Sequence, residues 1–372
     1  MQITHVITTI NRGGAENHLA SLVFEQIKQG LQVAVVYLKG DGYWANSLRE
    51  QGVRVESLDL KYYGHISPLK RLTCFINQLK PDVIHAHMPP AELYARLAIL
   101  LSTTKASFII SKHNDEAFYK GIGQVQLGRW VAKPAHTIIA ISDSVNKYMQ
   151  DNLGVSKSKI KTIYYGIDLA PYEKVSESET IKIRSEWGVV SDTLLIGTVA
   201  RLVPQKALHI LIAAYAKYKT KATKKSRLVI VGRGPLEDTL KKLAKDLGVD
   251  DDIVWAGFRE DIPQVMKSFD VFALTSSYEG FGLVLLEAMA SSKAVIASNV
   301  SAIPEIVKDN TGILCAPTSI KDFSNAFSKL ESTELCSRYG VEGYKRVKNA
   351  YTLERMAEDT LLVYNASLGL IR

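Results

Sequence analysis

The 372-residue sequence predicts an α/β protein made of two halves, each a doubly wound parallel sheet of Rossmann type. Short β-rich apolar runs alternate with helical patterns, the signature of βαβ units. This series occurs twice, on either side of a polar stretch, KVSESETIKIRSEW (174–187). The chain is also long for one hydrophobic core, so two domains are the default expectation.

The first run, ITHVITTI (3–10), passes through Arg12, Gly13 and Gly14 into a helical pattern ending near Gln29. QVAVVYL (32–38), RVESLDL (54–60), DVIHAH (82–87), SFIISKH (107–113), TIIAIS (137–142) and IKTIYYGID (160–168) follow. The second series is TLLIGTVA (193–200), SRLVIVG (226–232), DIVWAG (252–257), DVFALT (270–275) and KAVIAS (293–298). These runs are almost continuously apolar, as expected where helices cover both sheet faces. Helices are expected between them at 207–219, 235–247, 261–268 and 283–291. A last pattern, 352–368, has Leu353, Met356, Ala357, Thr360, Leu361 and Tyr364 at helical spacing. The expected domains are 1–168, completed by a returning helix within 352–372, and 169–351. A ligand is expected between them, at the carboxyl ends of the strands.

Composition narrows the class. No apolar run reaches the roughly 18 residues needed to cross a bilayer, and the N-terminus has no signal-peptide pattern. Cys74, Cys315 and Cys336 are far apart without metal-ligand spacing. Reduced thiols and a cytoplasmic location are therefore expected. The net charge is +8. Residues 101–161 carry nine basic against four acidic side chains, a local excess compatible with a solvated face, anionic lipid or a phosphorylated ligand. No basic stripe interleaves with aromatics, which argues against nucleic acid. Nothing in the sequence specifies an oligomeric state.

The strongest motif is DVFALTSSYEGFGLVLLEAMASSKAVIAS (270–298). A buried strand ends at Thr275, and a helix starts near Leu283. Gly280 and Gly282 flank Phe281 at its entry, where backbone without side chain can approach a ligand. The helix N-terminus favours a phosphate. Glu279 lies before the helix and Glu287 about one turn inside it. Carboxylates are natural partners for sugar or ribose hydroxyls, although two acids at this spacing are also common helix-end charges. GTVARLVPQKALHILIAA (197–214) adds Arg201 and Lys206, two cations suited to a leaving diphosphate or simply exposed in a loop. LVIVGRGPLEDTL (228–240) places Gly232 and Gly234 ahead of Pro235 at an expected first helical position. It lacks the third glycine of a dinucleotide fingerprint, which counts against an NAD enzyme.

Residues 197–312, through ARLVPQK, VGRGP, AGF, SSYEGFGLVLLEAMA and IPEIV…TG in order, resemble the retaining glycosyltransferases of family 4, which have the GT-B fold. The resemblance implies that Glu279 holds the transferred sugar, Glu287 the ribose, and Arg201 and Lys206 the donor diphosphate. Gly280 to Leu283 would stabilise the leaving phosphate. Gly257, Phe258 and Arg259 match the stretch whose backbone receives the nucleobase. One departure is visible: Gln205-Lys206-Ala207 stands where the family often has Glu-Lys-Gly, so the glycine of the tight turn is missing. The substrate implied is a nucleotide sugar, UDP-linked ahead of GDP-linked, with no cofactor and no divalent metal.

The first half agrees with weaker motifs. INRGGAENHLASLV (10–23) resembles the family's N-terminal glycine loop, which implies that Gly13 and Gly14 approach the donor. Glu16 reads as a first-turn charge before it reads as a catalyst. His85 and His87 share one strand face, but no third metal ligand lies nearby in the sequence. His113 matches a histidine that the family places beside the transferred sugar. The acceptor, a glycan or lipid-linked, is expected near 62–68, 88–94 and 114–129, with Tyr62, Tyr63, Phe118, Tyr119 and Trp130 as stacking platforms. The helix 68–79 sets Leu69, Leu72, Phe75, Ile76 and Leu79 against Lys70 and Arg71. Packing on the sheet is the first expectation for it, and peripheral contact with an anionic membrane the second. Bacterial surface polysaccharide or glycolipid assembly is the implied setting. The alternatives are a sugar-nucleotide epimerase, which leaves the Arg201–Lys206 and Glu279–Glu287 set unexplained, and a nucleotide-sugar-binding protein without turnover, which gains nothing from Glu279.

Overall fold

The computed structural model describes residues 1–114 and 121–371, so the candidate platforms Phe118 and Tyr119 lie outside the described residues. The chain divides into two compact units, Met1–Gly166 with Leu353–Arg372, and Ile167–Thr352.

The first unit carries seven strands, β1 (Gln2–Ile7), β2 (Gln32–Tyr37), β3 (Arg54–Ser57), β4 (Val83–His87), β5 (Ser107–Lys112), β6 (Thr137–Ala140) and β7 (Ile160–Thr162). Their order is β3-β2-β1-β4-β5-β6-β7. The second carries β8 (Leu194–Val199), β9 (Ser226–Val231), β10 (Ile253–Gly257), β11 (Val271–Leu274), β12 (Ala294–Ser298) and β13 (Gly312–Cys315), in the order β10-β9-β8-β11-β12-β13. Neighbouring strands run parallel. In each sheet the order reverses beside its first strand, at β1/β4 and at β8/β11. The crevice outside the carboxyl ends at such a switch point is where these sheets bind ligands.

Helices on both faces explain the apolar strands: Val271, Phe272, Ala273 and Leu274 are all essentially inaccessible to water. The helix Leu353–Ser367 belongs to the first unit, burying Met356, Ala357, Val363 and Tyr364 with Ile3, Leu22, Val83 and Ile109. Most strands end one to six residues before the apolar runs do, because the last residues of those runs turn into the loops, whereas β4, β10 and β12 end with their runs. β7, expected over 160–168, stops at Thr162.

β13, the one-turn helices Ala170–Glu173 and Ile303–Ile306, and two longer helices lie beyond the expected elements. Four residues beginning in glycine are too few for a period-two pattern to register. The helices Ile320–Lys329 and Thr333–Ala350 do carry start signals: Ser319 accepts from the Asp322 amide (3.2 Å), and Ser332 from the Leu335 amide (3.2 Å).

The helix Ile66–Leu79 follows the packing expectation, burying Leu72, Phe75 and Ile76. Arg71 is held by Glu56 (2.8 Å) and by the Ser57 carbonyl (2.7 Å). Among the described residues no helix is long and apolar enough to cross a membrane, and the three cysteines are free.

Candidate active site

In the second unit, the loop after β8 and the loop after β11 are joined by backbone and side-chain bonds. Thr275 Oγ1 donates to the carbonyls of Lys206 (3.0 Å) and Ala207 (3.2 Å). The Ser277 amide donates to the Gln205 carbonyl (2.8 Å), and Gln205 Nε2 to the Tyr278 carbonyl (3.0 Å). Across this seam Lys206 Nζ meets Glu279 Oε1 at 2.5 Å, with the side chains only 14% and 8% exposed. Ser276 Oγ donates to the same oxygen (2.6 Å). The two residues, 73 positions apart in sequence, thus form one nearly buried charge pair. Arg201 is exposed in the same loop as Lys206.

The turn that lacks its glycine is nevertheless made. Ala207 adopts φ +45° and ψ 41° as the cap of the helix Leu208–Lys219. A left-handed alanine costs about 1–2 kcal/mol, so the loop geometry is kept at the expense of backbone strain.

Gly232 and Gly234 allow close backbone approach within the second unit. A Cβ on Gly232 would lie 1.9 Å from the Ala200 carbonyl oxygen, and one on Gly234 2.5 Å from that of Leu202. The Gly232 amide also donates to the Gly257 carbonyl (2.7 Å). These glycines therefore bring the loops after β8, β9 and β10 into contact. Pro235 lies in a turn and not at a first helical position, since the helix begins at Glu237.

At the helix Leu283–Ala290, Gly282 is the cap with φ +99° and no side-chain capping bond, and the Leu285 amide turns back to the Gly282 carbonyl (2.9 Å), so the amides of Leu283 and Val284 are the ones placed for a ligand. Gly280 and Leu283 are half-buried beside it. Phe281 is 2% exposed, its ring edge-on to Tyr351 at 6.0 Å, so its side chain belongs to the core. Phe258 is exposed. Arg259 grips Asp261 through Nε (2.8 Å) and Nη2 (2.7 Å) and Glu186 through Nη1 (2.6 Å), so its guanidinium is committed to carboxylates. Glu287 is half-buried with its carboxyl enclosed, and burial pushes its pKa up to about 7, partly offset by the Tyr172 hydroxyl facing it. Tyr172 is a site neighbour that the sequence did not reveal.

In the first unit, Gly13 caps the helix Gly14–Lys28 with extended backbone, and a Cβ there would strike Glu16 Oε2 at 2.3 Å. Thr9 Oγ1 donates to Glu16 Oε1 (2.6 Å), tying the helix start to the end of the first apolar run. Gly14 has open space around it.

His85 and His87 do have a third neighbour: one nitrogen each of His5, His85 and His87 lies within 4.8 Å of the others. The sequence hid it because His5 sits on β1, in register with His85 on β4. The ring nitrogens are already paired. His5 bonds Gln26 (2.9 Å) and His87 (3.0 Å), His85 bonds Tyr364 (2.7 Å) and Ser111 (2.8 Å), and His87 bonds His113 (3.1 Å). Among the described residues no carboxylate joins the trio to offset a divalent charge, so it is a hydrogen-bonded core and a poor fit to a metal site.

His113 continues this chain and bonds the Tyr165 hydroxyl through Nδ1, while His18 stacks on Tyr165 at 4.1 Å. Both nitrogens of His113 are thus held by protein. Burial and the Lys112 ammonium lower its pKa to about 3, keeping it neutral. Lys112 in turn forms a buried pair with Glu92 (2.5 Å).

Between His87 and the helix Pro89–Leu101, Met88 takes φ +72° and ψ 143°, a region nearly restricted to glycine. In Met88→Gly the relief of this strain, about 1–2 kcal/mol, is set against the loss of a side chain packed on the Ile7, Val35 and Tyr37 core, so the net change in unfolding free energy is expected to be small. A urea titration showing Met88→Gly to be as damaging as an unstrained core truncation, about 3 kcal/mol or more, would remove the strain account.

The two sheet orders, each with its polar cluster at the switch point, are those of the GT-B fold. A crystal structure of Anabaena HepE in complex with UDP has the same fold, with TM-score 0.86 and 22% identity over 98% of this chain and 100% of that one. HepE in complex with UDP-glucose gives TM-score 0.85 at 24% identity, over 97% and 99%. The model of Glycosyltransferase Family 4 matches residues 12–171, and that of Glycosyl transferases group 1 matches residues 179–346. An uncharacterised glycosyltransferase of Methanocaldococcus jannaschii is 32% identical over 241 residues, 63% of this chain and 61% of its own length. The UDP-Gal:alpha-D-GlcNAc-diphosphoundecaprenol alpha-1,3-galactosyltransferase of Escherichia coli is 26% identical over 85% of this chain and 83% of its own. The chain belongs to the family 4 glycosyltransferases.

Proposed function

We propose that the protein transfers a sugar from a nucleoside diphosphate donor, UDP-linked, to a glycan or lipid-linked acceptor, with retention of anomeric configuration. The observation that carries this reading is the Lys206–Glu279 pair at the carboxyl ends of β8 and β11. It sets a carboxylate for sugar hydroxyls beside a cation for the leaving diphosphate. Arg201 and the open amides after Gly282 would share the developing charge, and Glu287 would accept from the ribose. The leaving phosphate would take the acceptor's proton in a front-face displacement, with fixed cations standing where other folds use a metal. His113, with both nitrogens engaged, would position the sugar and not exchange protons.

The HepE complexes support a uridine donor, and the E. coli relative's name supports an acceptor on a lipid diphosphate. For such an acceptor the exposed Tyr62, Tyr63 and Ile66 would lie toward anionic lipid. The test is a panel of UDP- and GDP-sugars in EDTA, with product anomers assigned by NMR. Turnover of a UDP-sugar with retention is expected. Loss of turnover in EDTA would overturn the leaving-group account, and binding without turnover of any donor would favour the sensor alternative.

A further inference from the structure

Hydrogen bonds run in series from Gln26 through His5, His87 and His113 to Tyr165, all in the buried interior of the first unit. A neutral imidazole has one N–H and one lone pair, so each link dictates the next. Gln26 Oε1 can only accept, so His5 Nε2 donates to it (2.9 Å). His5 Nδ1 then accepts from His87 Nε2 (3.0 Å), and His87 Nδ1 from His113 Nε2 (3.1 Å). His113 Nδ1 is left to accept the Tyr165 hydroxyl hydrogen.

A second arm leaves the same amide. Gln26 Nε2 donates to the Tyr364 hydroxyl (3.2 Å), which donates to His85 Nδ1 (2.7 Å), whose Nε2–H donates to Ser111 Oγ (2.8 Å). All four histidines are consistently Nε2–H, and no bond sets donor against donor. Burial holds His5 near a pKa of about 4 and His85 and His87 well below the usual histidine range, so the chain is neutral. Turning the Gln26 amide around would reverse every hydrogen in both arms, which makes the network a two-state element.

We infer that Gln26 is a positioning residue whose amide fixes the tautomer of His113 and commits the Tyr165 hydroxyl hydrogen to it. The bearing on catalysis rests on the proposed placement of the sugar beside His113, whereas the tautomer assignment does not.

The test is NMR of the intact protein with nitrogen-labelled histidine, together with donor kinetics. The wild type is expected to show all four rings as neutral Nε2–H. In Gln26→Leu, His5 Nε2 loses its acceptor, so nothing dictates the series and His113 is expected to populate Nδ1–H as well as Nε2–H. Nδ1–H at His87 or His113 in the wild type overturns the inference, and needs no variant to fold. His113 held purely as Nε2–H in a folded Gln26→Leu also overturns it. With mixed tautomers, kcat is expected to fall about threefold at unchanged donor KM. Mixed tautomers with unchanged kcat would overturn the sugar placement while leaving the tautomer control intact.

Discussion

Replacing Lys206 with methionine is expected to lower the stability of the second unit by about 3 kcal/mol and kcat by roughly 10²–10³. The stability loss follows from Glu279, whose side chain is 8% exposed and meets Lys206 at 2.5 Å. Without the ammonium, a nearly buried carboxylate keeps only the Ser276 hydroxyl. The kinetic loss follows from removing a fixed cation beside the leaving diphosphate. The double variant Lys206→Met/Glu279→Gln, which removes both charges, should recover most of the stability and none of the activity. Glu279→Ala alone should abolish transfer while leaving nucleotide affinity nearly intact, because its proposed partner is the sugar. Urea unfolding and UDP titration of the four proteins decide the matter. A stable Lys206→Met enzyme with wild-type kcat would show that the pair is neither structural nor catalytic.

Glu287→Gln should make the protein more stable than the wild type at pH 8 and weaken its nucleotide binding. Burial raises the folded-state pKa of Glu287 to about 7 from its ordinary 4.5. Between these values the folded state holds a proton that the unfolded state has released, so stability falls as pH rises through this window. The full cost, on the order of 3 kcal/mol, is present above the folded pKa. Glutamine keeps the shape and cannot ionise, so the variant should match the wild type near pH 4.5 and exceed it at pH 8. Ribose hydroxyls need an acceptor, so UDP affinity of the wild type should increase from pH 6 to pH 8, and that increase should vanish in the variant. Calorimetry at the two pH values reads both effects. Parallel pH curves for the two proteins would mean that Glu287 is ionised and solvated throughout.

The alternation of apolar runs and helical periods was enough to predict two doubly wound sheets, because a strand covered on both faces is apolar at most positions. Motif order between 197 and 312 located the second-unit loops, since glycines, cations and acids at strand ends are local features of the chain. What a side chain touches is not local. Nothing near Lys206 indicates that it pairs with a residue 73 positions away. Gly232 is legible as a glycine at a strand end, but not as the point where the Ala200 carbonyl closes in. His85 and His87 were visible as a pair on one strand face, yet His5, Gln26, Tyr165 and Tyr364 join them only across parallel strands and the returning helix. Burial, set by that packing, is also what makes these histidines neutral and raises the pKa of Glu287. Residue identity determined the elements and their order. Desolvation and cross-strand register, which exist only once the chain is folded, decided the chemistry of the groups they carry.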